Sequence, residues 1–357
     1  MLSYSLFMLS PVLVELVFIL LNKRSLNREP FDRKLYVSIM GFFVFFMLGF
    51  KSVFVGSGDA FFYLDTWDLL KNIPLHRLFN VMNNIDIEQG YLISVWVLSH
   101  IFRWRQFHFI LYGVLVAVAL ARFMYFNVRD LCLGFVMFSS LGMFAFLVQG
   151  LRQGIAICIC LFALERAKKQ KPISFFLLVA FAMTFHASAF VFFAVYFFRR
   201  FNKKPLNILA FVVLYGMVLY FVNWFLEVGN FLINDHYGNG QGLETSGGYI
   251  TLLIYVIVIA SFILIKTEDD ESTNILLYMA LTGMNIFLLR FFVNGIFQRV
   301  AHYFSLALPV LLSLSLDRFT YKQKVILRYS AIILCLGIAF YKTGYSKIIP
   351  YTFYWQV

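Results

Sequence analysis

The sequence predicts an all-α membrane protein whose helices cross the bilayer many times. Of its 357 residues, 61% are hydrophobic and 13% are charged, and the mean hydropathy is +0.80. Soluble domains carry about 25% charged residues, so this composition excludes that class. About 218 apolar residues, divided by the roughly 20 that one span needs, give about 11 crossings. Stretches 35–50 and 250–265 are apolar on every side, which excludes the alternating pattern of a transmembrane barrel.

Twelve apolar stretches bounded by polar or basic residues are the predicted spans. The first has no basic segment before it, which favours a span over a cleaved signal peptide. We predict that residues 1–357 form one integral membrane domain, a bundle of about 11–14 transmembrane helices including short or re-entrant ones. The predicted spans are 4–21, 35–52, 90–102, 107–126, 130–147, 152–165, 173–198, 206–226, 248–266, 274–291, 300–316 and 325–341.

The net charge of +12, from 30 Lys+Arg against 18 Asp+Glu, sets the predicted orientation. Basic clusters at 23–34 and 318–328 place these loops in the cytoplasm by the positive-inside rule. The two longest connections, 53–89 and 227–247, then lie outside, and neither is long enough for a separate domain. Because no basic domain or binding motif lies outside the spans, no nucleic-acid partner is predicted.

Two segments do not fit a model in which every apolar stretch crosses the membrane once. Basic residues at 166–171 and 199–204 both look cytoplasmic, although one apolar stretch, 173–198, separates them. We predict that this stretch is a hairpin of two short helices that turns near residues 186–188. Residues 106 and 166 also look internal, although three apolar stretches lie between them, so we predict that one of the three is re-entrant.

Ionisable side chains within spans or at their outer ends are costly and tend to be functional. The clearest is Arg152, which opens the span that leads to the basic cluster 166–171. A guanidinium at a helix N-terminus suits a phosphate or diphosphate, whereas the two nearby glycines, Gly150 and Gly154, favour a packing site. Arg299 is a second candidate for the same anion, or a snorkelling interfacial arginine.

His186 stands alone among apolar residues. It is a candidate base or hydrogen-bond donor near neutral pH, or a satisfied core histidine. In the outer loop, a Gly-Ser-Gly turn precedes Asp59, and Tyr63 and Trp67 are aromatic platforms for sugar unless 60–71 is simply an interfacial helix. No histidine or cysteine spacing matches a metal site, so no metal or other cofactor is predicted, and the cysteines are assigned to the core: Cys132, Cys158, Cys160 and Cys335.

Taken together, these motifs resemble the EpsG/Wzy-type exopolysaccharide and O-antigen polymerases of bacterial inner membranes. The resemblance runs over most of the chain. The parts that match are Lys51, Gly56, Asp59 and Tyr63; Glu88, Gly90 and Tyr91; Arg152-Gln153 with Ile155-Ala156; Phe185-His186-Ala187-Ser188; and Arg299 with Tyr303-Phe304.

The resemblance implies transfer of a growing glycan from undecaprenyl diphosphate to a new lipid-linked repeat unit, on the outer face of the membrane, by a GT-C-like bundle. The implied partners are undecaprenyl-diphosphate-linked oligosaccharide, membrane lipid and a chain-length regulator. Fixed cations near the leaving diphosphate would lower the barrier without a metal. The implied roles are diphosphate binding by Arg152 and Arg299 with Arg290 or Lys51 in support, acceptor activation by His186 or Asp59, and sugar contacts by Tyr63, Trp67, Glu88, Tyr91 and Tyr303.

Two other functions compete with this interpretation. A lipid-linked oligosaccharide flippase would show interrupted helices at matching positions of two halves, and the broken stretch 173–198 has no evident counterpart. A ligase, or a transferase that uses a lipid monophosphate donor, commonly carries a larger outer loop than the 21 residues of 227–247.

Overall fold

The computed structural model describes residues 2–21, 30–56, 59–221, 248–265, 270–292, 295–344 and 348–356. These residues form helices, with one isolated bridge between Lys51 and Phe353, so the predicted all-α class is confirmed. The predicted outer loop 227–247 lies outside the described residues. The α-helices are α1 (Leu2–Leu20), α2 (Pro30–Gly49), α3 (Asp59–Leu70), α4 (Leu75–Met82), α5 (Gln89–Ile101), α6 (Phe107–Asn127), α7 (Leu131–Ser140), α8 (Met143–Gln149), α9 (Leu151–Lys168), α10 (Pro172–Met183), α11 (Pro205–Tyr220), α12 (Tyr249–Leu264), α13 (Glu271–Phe292), α14 (Ile296–Ser305), α15 (Ala307–Leu316) and α16 (Tyr321–Thr343).

Several helices are long and apolar enough to cross a membrane. Among the described residues these are α1, α6, α13 and α16, and two bent pairs, α7 with α8 and α14 with α15, raise the number to six if each pair is one span. The chain is therefore a polytopic membrane protein, as its composition predicts. It divides into two compact units, the first formed by residues 1–193 and 316–357, the second by residues 194–315.

An antiparallel pair of helices, α2 and α6, runs the length of the first unit. Gly49 at the end of α2 lies against Ile110 near the start of α6, and a Cβ on Gly49 would come within 3.2 Å of the Ile110 Cα. Small residues of this kind let two helix backbones approach closely. At the other end of the pair, Arg33 donates to carbonyls at the end of α6, those of Tyr125, Val128 and Arg129.

We call the end of the first unit that contains Arg33 the basic end, and the opposite end the Lys51 end. Ion pairs link the helices at the basic end. The most buried of those described is Arg328, which bonds to Asp130 and donates to Glu15 at 2.6 Å. The others include Asp317 with Arg129 and Lys324, and Arg122 with Glu165. Arg328 and Lys324, which the sequence assigns to a cytoplasmic loop, thus meet carboxylates at this end of the unit.

The two short helices α7 and α8 form one broken crossing of the first unit. They are bent by 58° at Gly142, whose φ of +78° glycine adopts without steric cost. Asp130 places the start of α7 at the basic end. The Lys51 ammonium donates to the Val148 carbonyl at 2.5 Å and places the end of α8 at the Lys51 end.

Because α7 and α8 together connect the two ends of the unit, no re-entrant stretch is needed between residues 106 and 166. The Gln106 amide donates to the Lys51 carbonyl at 3.1 Å, so residue 106 lies at the Lys51 end and not, as predicted, with residue 166. Lys168 donates to Asn127 at 2.6 Å at the basic end. Three runs, α6, α7 with α8, and α9, therefore connect opposite ends of the unit. The prediction of a re-entrant stretch was wrong because it placed residue 106 on the wrong side.

The predicted span 90–102 is also wrong, because both ends of α5 lie at the Lys51 end. Glu88, just before α5, pairs with Arg152 in the first turn of α9, and Gln106 follows soon after its last residue. One side of α5 packs against α3, where the rings of Tyr63 and Tyr91 are 5.8 Å apart. Its other side exposes apolar residues, which suits a helix that lies along the membrane surface: Ile93, Val97 and Ile101.

The predicted hairpin over 173–198 is confirmed. After α10 the chain turns through residues 184–186 and continues as a 3₁₀ helix, Ala187–Arg200. Phe175 and Phe192 have ring centroids 6.4 Å apart, and Phe176 and Phe193 5.7 Å apart. Residues 17 positions apart in a straight α-helix would be about 25 Å apart, so the chain reverses direction beside His186.

In the second unit, α13 and α14 pack as antiparallel neighbours with α12 beside them. Gly283 on α13 leaves room for the Phe304 side chain and for the ring of Tyr255. The Tyr255 hydroxyl is hydrogen-bonded to Ser305 at 2.7 Å, which joins α12 to the end of α14.

Candidate functional site

The Glu88 carboxylate joins three elements at the Lys51 end of the first unit. It accepts hydrogen bonds from Arg152 on α9, from His186 Nδ1 at 2.7 Å and from the Ala187 N–H at 3.1 Å. Ala187 is the first residue of the 3₁₀ helix, so the carboxylate also meets the partial positive charge of a helix N-terminus. These partners follow Glu88 by 64, 98 and 99 positions, and only the folded chain brings them together.

A close contact between α5 and the end of α10 sets the distance from Glu88 to His186. Gly90 lies against Thr184, and a Cβ on residue 90 would come within 2.2 Å of the Thr184 Oγ1 and 2.7 Å of its carbonyl oxygen. The Tyr91 N–H also donates to the Thr184 carbonyl at 3.2 Å. The packing therefore requires glycine at position 90, two residues after Glu88.

The Glu88 carboxyl is ionised at neutral pH. Burial raises its pKa, but the hydrogen bond from His186 and the charge of Arg152 outweigh burial and lower the pKa to about 2. Since an ionised carboxylate only accepts hydrogen bonds, His186 Nδ1 carries the proton in this contact. When the ring is neutral, Nε2 keeps a lone pair and can accept a proton from a hydroxyl group.

Arg152 has donors beyond its ion pair with Glu88. It is the second residue of α9, where the helix dipole adds to its positive charge. The side chain of Tyr63 also hydrogen-bonds to the guanidinium. The Arg152 Nε is buried and has no hydrogen-bond partner in the described parts of the chain. Arg152 is therefore placed to bind an anion through N–H groups that the resting site does not fully use.

An open groove of about 640 Å³ lies beside Glu88. The start of α5 and the end of α10 form its walls, which are mainly apolar and include Ile93, Phe181 and Phe185. Its volume is in the range of small-molecule sites, about 300–1,000 Å³. A substrate that bound here would place an apolar part against these walls and a polar part beside Glu88.

Lys51 lies away from the open groove. The side chain is 1% exposed, and its ammonium lies 4.8 Å from the centre of the Phe109 ring in addition to its bond with Val148. The predicted position beside a diphosphate does not fit this buried contact with a carbonyl oxygen.

The predicted aromatic platform is also buried. Trp67 and Tyr91 are 0% exposed, and Tyr63 is 4% exposed. Trp67 stacks on His108 with ring centroids 5.7 Å apart, and the Tyr91 hydroxyl is hydrogen-bonded to His108 Nε2 at 3.2 Å. Neither Trp67 nor Tyr91 presents an open face to a sugar in this conformation. The contacts of His108 with these two rings could not be predicted, since a single histidine in an apolar span has only the pattern of a core residue.

The remaining predicted site residues are not brought to this cluster by any described contact. Asp59 begins α3, but its side chain lies outside the described structure, as do Ser57 and Gly58. Three others belong to the second unit, and their joint action with Arg152 stays a prediction: Arg290 on α13, and Arg299 and the buried Tyr303 on α14.

Comparison with known proteins identifies a family. The sequence model of the EpsG family matches residues 34–353, nearly the whole chain. No curated protein and no solved structure matches the chain.

Proposed function

Because the chain belongs to the EpsG family, we propose that it is a polysaccharide polymerase, a glycosyltransferase that joins repeat units carried on undecaprenyl diphosphate. Membership of the family supports the polymerase role. We place the reaction at the outer face of the bacterial inner membrane, on the side of the Lys51 end. The observation that carries the proposal is the Glu88 carboxylate, held between Arg152 and His186 beside an open groove.

Arg152 stabilises the leaving group. In the transfer step the bond between the anomeric carbon and the diphosphate breaks, and the electron pair stays with the diphosphate oxygen. A fixed guanidinium at a helix N-terminus binds this charge more tightly as it develops, which lowers the barrier.

His186 activates the acceptor. The acceptor hydroxyl oxygen forms the new bond to the anomeric carbon, and its proton passes to His186 Nε2. Glu88 holds Nδ1–H and stabilises the imidazolium that results, so the ring keeps one tautomer and one orientation. General-base catalysis of this kind contributes about 10²–10⁴-fold to a rate.

Glu88 also links donor binding to base activation. In the resting site the carboxylate forms an ion pair with Arg152 and accepts the Nδ1–H of His186. A donor diphosphate competes for Arg152 and leaves Glu88 to interact with His186 and the Ala187 N–H. A carboxylate that is no longer shared with Arg152 can then stabilise the imidazolium that forms as His186 takes the acceptor proton.

The proposal is tested by expressing variants in a strain that lacks its own polymerase and examining the glycan ladder. Arg152→Ala and His186→Ala are expected to leave single repeat units without long chains. Two matched controls, Arg122→Ala in the exposed ion pair at the basic end and His100→Ala on the exposed side of α5, are expected to keep the ladder. A wild-type ladder from both site variants, at equal protein levels, contradicts the assignment.

A further inference from the structure

We infer that Lys51 is a positioning residue for Arg152, because its buried ammonium caps α8 and so fixes the turn from which α9 and Arg152 begin. This inference rests on the proposed role of Arg152 in binding a diphosphate. It replaces the direct contact with the diphosphate that the sequence suggested for Lys51.

The last carbonyls of α8 have a specific set of partners. A helix leaves its final carbonyl groups without partners inside the helix, and a buried end needs them satisfied from elsewhere. The Phe146 carbonyl accepts from the Gly150 N–H at 2.8 Å, and the Leu147 carbonyl accepts from the Tyr112 hydroxyl at 2.8 Å. The Val148 carbonyl accepts from the Lys51 ammonium at 2.5 Å. Lys51 is the charged member of this set, and a cation at a helix C-terminus complements the helix dipole.

The position of the turn after α8 directly determines the position of Arg152. Gly150 follows the last residue of α8 and precedes the first residue of α9, so Gly150 lies two positions after Val148 and Arg152 two positions after Gly150. Gly154 in the first turn of α9 lies so close to Tyr112 that a Cβ would come within 2.2 Å of the hydroxyl oxygen. A shift of the α8 end therefore moves the base of the Arg152 side chain, because no flexible linker lies between them.

Lys51 is itself fixed at its backbone. The Gln106 amide donates to the Lys51 carbonyl at 3.1 Å, and Lys51 pairs with Phe353. On either side, the Ser52 N–H donates to the Thr352 carbonyl at 2.9 Å and the Tyr354 N–H donates to the Phe50 carbonyl at 3.0 Å. The cap on α8 is thus anchored by α6 and by the last described segment of the chain.

Lys342 makes the same kind of contact at the other half of the broken crossing and provides a matched control. Its ammonium donates to the Ser140 carbonyl at the end of α7, at 2.7 Å. Both lysines cap one half-helix, but only Lys51 caps the half that leads into Arg152. Loss of either cap is expected to lower stability, and only loss of the Lys51 cap is expected to weaken the binding of a diphosphate.

The test is a double-mutant cycle on the full chain in nanodiscs, with undecaprenyl diphosphate as the probe. Affinity is measured for the wild type, Lys51→Met, Arg152→Ala and the double variant, with Lys342→Met as control and melting temperatures recorded for each. Arg152→Ala is expected to weaken binding by about 10-fold or more, the scale of one charge-assisted hydrogen bond. Lys51→Met is expected to weaken it by a similar factor, and the double variant is expected to match Arg152→Ala within about twofold, because coupled residues are not additive.

Each other outcome overturns the inference. Factors that multiply in the double variant show that Lys51 acts independently of Arg152. Unchanged affinity in Lys51→Met, or an equal loss in Lys342→Met, shows that the cap does not act through Arg152. If Arg152→Ala alone keeps full affinity, the proposed function fails first, and the inference fails with it.

A second variant covers the case in which Lys51→Met does not fold. Tyr112→Phe removes the neighbouring cap from the Leu147 carbonyl without changing any charge. It is expected to weaken binding of the same probe, and the effect is expected to vanish in the Arg152→Ala background. Wild-type affinity in Tyr112→Phe contradicts the link between the α8 end and Arg152.

Discussion

Replacing Gly90 with alanine tests whether the contact between α5 and α10 sets the geometry of the site. The new Cβ would lie 2.6 Å from the Thr184 Cβ and 2.7 Å from the Thr184 carbonyl oxygen, where ordinary contacts begin at 3.4 Å. Rotation of the Thr184 side chain relieves neither contact. The two segments must therefore separate by about 0.7–0.8 Å, the difference between these distances.

That separation is enough to break the hydrogen bond between Glu88 and His186. The bond measures 2.7 Å, and an added 0.7–0.8 Å brings it to about 3.4–3.5 Å, beyond the usual limit of about 3.2 Å. Overpacking of this kind costs about 1–3 kcal/mol of stability. A misplacement near 1 Å at a reacting group lowers a rate by about 10²-fold. We expect Gly90→Ala to lose activity far more than it loses stability.

The assay is the initial rate of polymer synthesis by purified protein in proteoliposomes, with the melting temperature measured in parallel. Gly337→Ala is the matched control, because a Cβ there meets nothing within 4 Å and alanine raises helix stability by about 0.5–1 kcal/mol. The control is expected to keep the wild-type rate. A Gly90→Ala protein with both wild-type rate and wild-type melting temperature would refute the argument from packing.

Three further predictions concern charge. Glu88→Gln is expected to lower the rate of polymer synthesis by about 100-fold or more, because Arg152 and His186 lose the carboxylate that orients them. The control, Glu165→Gln at the basic end, is expected to keep the rate within a few-fold of wild type. The pKa of Glu88 is about 2 in the fold against an ordinary 4.5, so the stability that its ion pairs supply is complete above pH 4.5 and is lost as the pH falls toward 2. The melting temperature should fall more steeply over that interval in the wild type than in Glu88→Gln, and parallel curves would contradict the pairing. Arg328→Met leaves buried carboxylates uncompensated and should cost about 3–5 kcal/mol in denaturant unfolding, whereas Arg129→Met, at a position 62% exposed, should cost less than about 1 kcal/mol.

The hairpin at His186 could be predicted from the sequence because its cause is local. Basic clusters on both sides of one apolar stretch require that its two ends lie on the same side of the membrane. Arg152 was recognisable for a similar reason, since a cation at the start of an apolar helix is costly wherever the helix goes.

The path of α5 and the roles of Lys51 and Glu88 could not be predicted in the same way. A helix that lies along the membrane surface and one that crosses it have similar composition, and only the 13-residue length of α5 distinguishes it. The partner of Lys51, Val148, lies 97 positions later. A lysine has the same chemistry whether it meets a phosphate or a carbonyl, so the fold alone decides between them.

The separation of Glu88 and His186 along the chain also sets the order in which the parts of the site form during synthesis. Glu88 leaves the ribosome 98 residues before His186, and at about 5–20 residues per second this interval lasts about 5–20 seconds. Because α5 does not cross the membrane, the Glu88 carboxylate can spend this interval in water instead of lipid. The arrival of His186 completes the cluster, so a nascent chain stopped before α10 would carry no working site.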